Sequence, residues 1–135
     1  MITDSQLHYL NVIHSLKNPT VTLIAKKLDI SKPSVVKALK KLKEQELVNY
    51  DKEISLTEKG TIFAKNYAKR KNTIKKFLIE VLKIDEEIAD IDSEKMINNL
   101  SCISIIAMEE YISKVLNIKQ NENICKLMDK ANKIS

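Results

Sequence analysis

The stretch Thr20–Leu47, TVTLIAKKLDISKPSVVKALKKLKEQEL, constrains the fold more than any other part of the chain. Leu23, Ile24 and Leu28 give a short helix one apolar side. Asp29, Ile30 and Ser31 make a corner. Ser31 is an N-cap, because its hydroxyl can accept from an amide of the next helix that has no intrahelical partner. Pro33 is tolerated in the first turn, where its missing amide costs no bond. Val35, Ala38, Leu39 and Leu42 then recur at i, i+3, i+4 and i+7, a single buried stripe. Ser34, Lys37, Lys40, Lys41 and Lys43 lie largely off that stripe. A short helix, a tight turn and a cationic second helix predict a helix-turn-helix, with the helix around 32–46 in the major groove of DNA. A plain helical hairpin with solvated lysines shows the same pattern, so the flanking chain has to discriminate.

The flanks do so. Thr3–Lys17 reads as a first helix, with Thr3 and Gln6 at capping-box spacing and Leu7, Leu10, Ile13 and Leu16 inward. Asn18-Pro19 ends it. After the helix pair, Val48, Tyr50, Ile54 and Leu56 alternate around the polar tip Asp51-Lys52-Glu53, which predicts a β-hairpin, a small wing. Thr57 caps a long helix from Glu58 to about Leu82, with Phe63, Tyr67, Ile74, Phe77, Leu78 and Val81 buried.

Beyond it, Ile84–Ile91 reads as a short acidic helix. Asp92 or Ser93 caps a second over Glu94–Leu100, and Ser101 a third over Cys102–Leu116. That third helix is apolar around most of its circumference, so a partner subunit is expected to cover it through Ile105, Ile106, Met108 and Ile112. A last amphipathic helix, Asn121–Ile134, points Ile124, Leu127, Met128, Ala131 and Ile134 inward. The expected fold class is mostly α: a winged helix-turn-helix DNA-binding domain over 1–70 and an all-helical dimerisation domain over 71–135.

Charge follows the same division. The net charge is +5, yet Lys26–Lys43 carries seven lysines against Asp29, whereas Leu78–Glu110 carries nine carboxylates against Lys83 and Lys95. A basic front and an acidic rear suit a DNA-facing half and a half with another task. No apolar run approaches the ~20 residues that span a bilayer. MITDSQLHYL is no secretion signal, which makes a cytoplasmic protein the expectation. Cys102 and Cys125 form neither a CxxC nor a disulfide framework, and read as free thiols.

The order helix, helix-turn-helix, wing, long helix, acidic helix, dimer helix, with SKPSVVKALKKL, then LTEKG after the wing, then IDEE and NNLS, resembles the diphtheria-toxin-repressor family over about residues 4–118. Within that family it resembles the shorter manganese-transport-repressor branch, which lacks a third, SH3-like domain. The resemblance implies a homodimeric repressor that binds Mn²⁺ or Fe²⁺ between the first helix, the long helix and the acidic helices. The ligand positions depart from the family. They fall on His8, Asn11, Lys71, Glu94, Ile97, Asn98 and Asn99, of which only His8 and Glu94 suit a hard divalent ion. A lost or weakened metal site is therefore expected, with no cofactor. The Lys71 ammonium is expected where the cation sat, paired with Glu94. A relocated site drawing on His8, His14, Cys102 or Glu109 stays open.

The expected function is a dimeric DNA-binding transcriptional regulator, a repressor, whose partner is double-stranded DNA and not a membrane. The DNA contacts fall on Lys26, Ser31, Lys32, Ser34, Val36, Lys37, Lys40 and Lys41. Ser31 and Ser34 suit phosphates at a helix start, and Lys32, Val36 and Lys37 suit base edges. The alternative is a dimeric winged-helix adaptor that binds another protein and has no operator. An enzyme is not expected: no nucleophile has a partnered base, and there is no Gly-rich phosphate loop.

Overall fold

A computed structural model describes residues 1–134; beyond Asn117, the side chains described are those of Lys126 and Met128. The elements in order are α1 (Asp4–Ser15), α2 (Val21–Leu28), α3 (Lys32–Glu44), β1 (Val48–Tyr50), β2 (Ile54–Leu56), α4 (Glu58–Glu80), α5 (Glu86–Met96) and α6 (Cys102–Ile134). The chain divides into two compact units, Met1–Lys69 and Arg70–Ser135, and the boundary falls inside α4.

Local hydrogen bonding explains most of the first unit's boundaries. The Gln6 amide donates to Thr3 Oγ1 and the Thr3 amide to Gln6 Oε1, both at 3.1 Å, a complete capping box. Gln6 Nε2 also donates to Gln45 Oε1 at 2.7 Å, which ties the start of α1 to the end of α3. Thr20 caps α2. That helix stops because Asp29 turns left-handed (φ 55°) and the Ile30 amide returns to the Ala25 carbonyl, a C-terminal motif that an Asp tolerates. Ser31 caps α3, accepting from the Ser34 amide at 3.3 Å.

Val35, Leu39 and Leu42 are fully buried and form a core with Leu10, Ile13, Ile24, Leu47, Val48, Ile54 and Ala64. The hairpin pairs Val48 with Leu56, Asn49 with Ser55 and Tyr50 with Ile54, antiparallel. Val48 and Ile54 are its buried positions, and Asn49 and Ser55 face out, the alternation of a one-sided sheet.

The second unit packs Ile74 and Leu78 of α4, Ala89 and Ser93 of α5, Ile97, and Ile105 and Ile112 of α6 as buried residues. Two expected helix breaks are absent. Residues 86–96 form one helix, because Ser93 is fully buried and its hydroxyl donates back to the Asp90 carbonyl at 2.9 Å; it caps nothing. The chain then turns at 97–99, where a helix was expected, and Ser101 caps α6. α6 itself runs unbroken through the polar stretch 117–123, where no residue lacks an amide or requires a positive φ. The expected inward residues Ile124, Leu127, Ala131 and Ile134, and Cys125, lie outside the described side chains; Met128 is exposed.

Candidate nucleic-acid interface

Burial of Val35, Leu39 and Leu42 fixes which way α3 faces. With that row inward, Ser34, Lys37, Lys40 and Lys41 are exposed on the other side, Lys32 is exposed at the helix start, and Val36 is half-buried at the edge. Lys26, near the end of α2, is exposed as well. Lys37, Lys40 and Lys41 stand at i, i+3 and i+4, so three ammonium groups share one face within about 5–6 Å between Cβ atoms. Among the described residues none of these five α2 and α3 lysines, 26, 32, 37, 40 and 41, has a carboxylate in ion-pair range, whereas Lys43 does. Its Nζ donates to Asp51 Oδ1 at 2.8 Å and to the Tyr50 carbonyl at 3.2 Å, which pins the hairpin tip to the end of α3. Lys43 is a wing anchor, a role its sequence position did not show.

The helix start offers less to an anion than its serines imply. Ser31 and Ser34 share a hydroxyl–hydroxyl bond of 2.7 Å, and Ser31 already receives the Ser34 amide. Pro33 has no amide to give. Of the first three amides of α3, that of Lys32 is the one left for a phosphate. The exposed tip of the wing carries Asp51, Lys52 and Glu53, of which Asp51 is neutralised by Lys43.

The positions at which the resemblance implies a metal do not supply a donor set. His8 Nδ1 lies 3.3 Å from the Tyr67 hydroxyl, with the two rings tilted at 6.1 Å. Lys71 Nζ lies 3.8 Å from Glu94 Oε2 and 3.6 Å from Asp90 Oδ1, a cation where a ligand would stand. Ile97 is buried in the second unit's core, Asn98 is exposed, and the Asn99 side chain donates to the Lys95 carbonyl. Asn11 is a neutral amide, half-buried on α1. Among the described residues, no three of His, Cys, Asp and Glu gather in a way that could hold an ion, and this includes His14, Cys102 and Glu109. The described side chains at these positions do not make a donor set for Mn²⁺ or Fe²⁺.

On α6 the expected dimer residues separate. Ile105 and Ile112 are 4% and 5% exposed and belong to the unit's own interior, so neither offers a surface to a partner. Met108 is half-buried, and Ile106 is exposed. Ile103 and Tyr111 of α6 and Ile88 and Ile91 of α5 are exposed too. The two α5 isoleucines had no sequence signal, because they sit among carboxylates in what reads as a solvated helix.

Three helices with a cationic outward helix and an antiparallel hairpin behind them define a winged helix-turn-helix, the DNA-binding unit of transcription regulators. The sequence profile of the MarR family matches residues 2–53. An uncharacterized HTH-type transcriptional regulator of Methanocaldococcus jannaschii, MJ0568, is 35% identical over 113 residues, covering 79% of this chain and 90% of that protein. The chain belongs to the same family of helix-turn-helix transcriptional regulators. Among solved structures it is similar to a manganese-dependent transcriptional repressor in complex with manganese (TM-score 0.75, 20% identity, 80% of this chain and 52% of the other). It is similar also to the manganese regulator SloR (TM-score 0.70, 25% identity, 80% and 53%). The chain spans about half the length of those two regulators. Among the described residues no helix is long and apolar enough to cross a membrane.

Proposed function

We propose that the chain is a homodimeric transcriptional repressor of the diphtheria-toxin-repressor type, without catalytic activity, that works on duplex DNA in the cytoplasm. One observation carries the reading: the buried row Val35, Leu39 and Leu42 leaves Lys37, Lys40 and Lys41 together on the outer face of α3, and among the described residues neither they nor the exposed Lys32 at the helix start has a carboxylate in ion-pair range. Lys32, Val36 and Lys37, near the start of that helix, are the base readers, with Val36 suited to a thymine methyl. Lys26, Lys40 and Lys41 hold phosphates, while Ser31 and Ser34, bonded to each other, shape the helix start around the Lys32 amide. Exposed isoleucines on α5 and α6 support the dimer, which would set two recognition helices about 34–36 Å apart. The similarity in fold to two manganese regulators supports the repressor type.

The test is a titration of duplex DNA, drawn from the organism's own promoters, against random duplex over a range of salt. The observed affinity should fall with salt at a log–log slope of about −0.9 per phosphate neutralised, and one subset of promoters should be retained at high salt. Binding that is absent, or flat in salt, rejects the reading and leaves a winged-helix adaptor for another protein.

A further inference from the structure

Lys71 and Lys75 stand one turn apart on α4, and Glu86, Asp90 and Glu94 stand at i, i+4 and i+8 on α5. The five charges alternate. Lys75 Nζ lies 3.8 Å from Glu86 and 3.5 Å from Asp90; Lys71 Nζ lies 3.6 Å from Asp90 and 3.8 Å from Glu94. The order along the seam is therefore Glu86, Lys75, Asp90, Lys71, Glu94, with α4 and α5 antiparallel.

The ladder runs beside buried positions of both helices. Ile74 and Leu78 follow the two lysines by three residues, and Ala89, Ser93 and Ile97 follow the three carboxylates by three; all five are buried. Both lysine side chains are mostly covered, at 21% and 26% exposure, so their stems pack while their heads reach the acids. Three carboxylates in successive turns repel one another, and a cation between them relieves the repulsion. Here the chain supplies it twice.

We propose that this ladder is a built-in cation clamp. The Lys71 and Lys75 ammonium groups do for the acidic face of α5 what a bound divalent ion would do, so the register of α5 on α4 answers to ionic strength and not to a metal. The clamp needs neither a bound metal nor DNA.

The experiment is thermal unfolding of the EDTA-treated full chain at roughly 0.01 M and 1 M salt, where screening lengths are about 30 and 3 Å. Three proteins are compared: the wild type, the double variant Lys71→Gln with Lys75→Gln, and a full swap with both lysines changed to Glu and Glu86, Asp90 and Glu94 changed to Lys. At low salt the double variant should melt about 3–8 °C below wild type, because several linked pairs are lost. At high salt the gap should close, and the swap should recover most of it at low salt. Wild-type melting should not move with added MnCl₂, CoCl₂ or ZnCl₂. A rise in wild-type melting with any of these metals overturns the proposal. So does a gap of equal size at both salt concentrations, and so does a swap that melts no higher than the double variant.

Discussion

The carbonyl oxygen of Leu47 stands where a side chain on Gly60 would begin. A Cβ there would collide with that oxygen and lie 3.0 Å from the Leu47 carbonyl carbon. The oxygen cannot retreat freely, because it accepts the Thr57 amide at 3.1 Å, and Thr57 in turn caps α4 through the Gly60 amide at 3.0 Å. The one glycine of the chain therefore lets the start of α4 press onto the segment that leads into the wing.

This contact reverses an ordinary rule. Gly→Ala inside a helix usually stabilises by about 0.5–1 kcal/mol, through lost freedom of the unfolded chain. Gly60→Ala should instead destabilise by roughly 1–3 kcal/mol, the cost of overpacking a closed contact. Urea unfolding would show it as a lowered midpoint at unchanged slope. A midpoint at or above wild type would mean that the Leu47 carbonyl moves aside easily.

Much of the first unit was legible because its signals are local. The Thr3–Gln6 box, the Ser31 cap and the Thr57 cap each need only a hydroxyl or amide a few residues from a free amide. The long-range facts were not legible. Ser93 has the chemistry of a cap, yet burial turned its hydroxyl back into α5. Ile97 falls on an expected ligand position but fills the core. The pairing of Lys71 with Glu94 could be read from the family's ligand positions. The other three members of the ladder needed the antiparallel register of α4 and α5, which no periodicity encodes.

The α3 lysines should separate by role. On the proposed reading Lys37 meets base edges, so Lys37→Ala should weaken binding to a cognate operator by about 1–3 kcal/mol while leaving random DNA nearly unaffected. On the same reading Lys41 meets a phosphate, so Lys41→Ala should weaken both DNAs equally and lower the salt slope by about 1. Fluorescence anisotropy on the two duplexes measures both effects. Equal losses on both DNAs for both variants would remove the assignment of Lys37 to base reading.

Acid should loosen the second unit through Asp90. Its carboxyl is held below the ordinary carboxylate range, first by the Lys71 ammonium and then by that of Lys75, against an opposing push from desolvation. A depressed folded-state pKa means that the carboxylate's stabilisation is present in full above the unfolded value, about 3.9, and is lost as pH falls through the folded value. The side chain is 53% exposed, so the effect is screened and modest. Melting temperature against pH should therefore fall more steeply on the acid side for wild type than for Asp90→Asn. Parallel acid limbs for the two proteins would show that the Lys71 and Lys75 contacts do not favour the ionised form.

Neighbouring isoleucines on α6 should have opposite phenotypes. Ile105 is buried in its own unit, so Ile105→Ala should cost about 2–5 kcal/mol in stability and act through unfolding. Ile103 and Ile106 are 80% and 54% exposed, so a carboxylate at either position meets water in the monomer and costs little there. In a symmetric dimer that covers them, the pair Ile103→Glu with Ile106→Glu puts like charges into an apolar contact twice over. Sedimentation equilibrium should then show a folded monomer for this double variant, with the melting profile of dilute wild-type protein. A double variant that sediments with the mass of the wild type would mean that this face of α6 is not the dimer surface, and would move attention to Ile88 and Ile91 of α5.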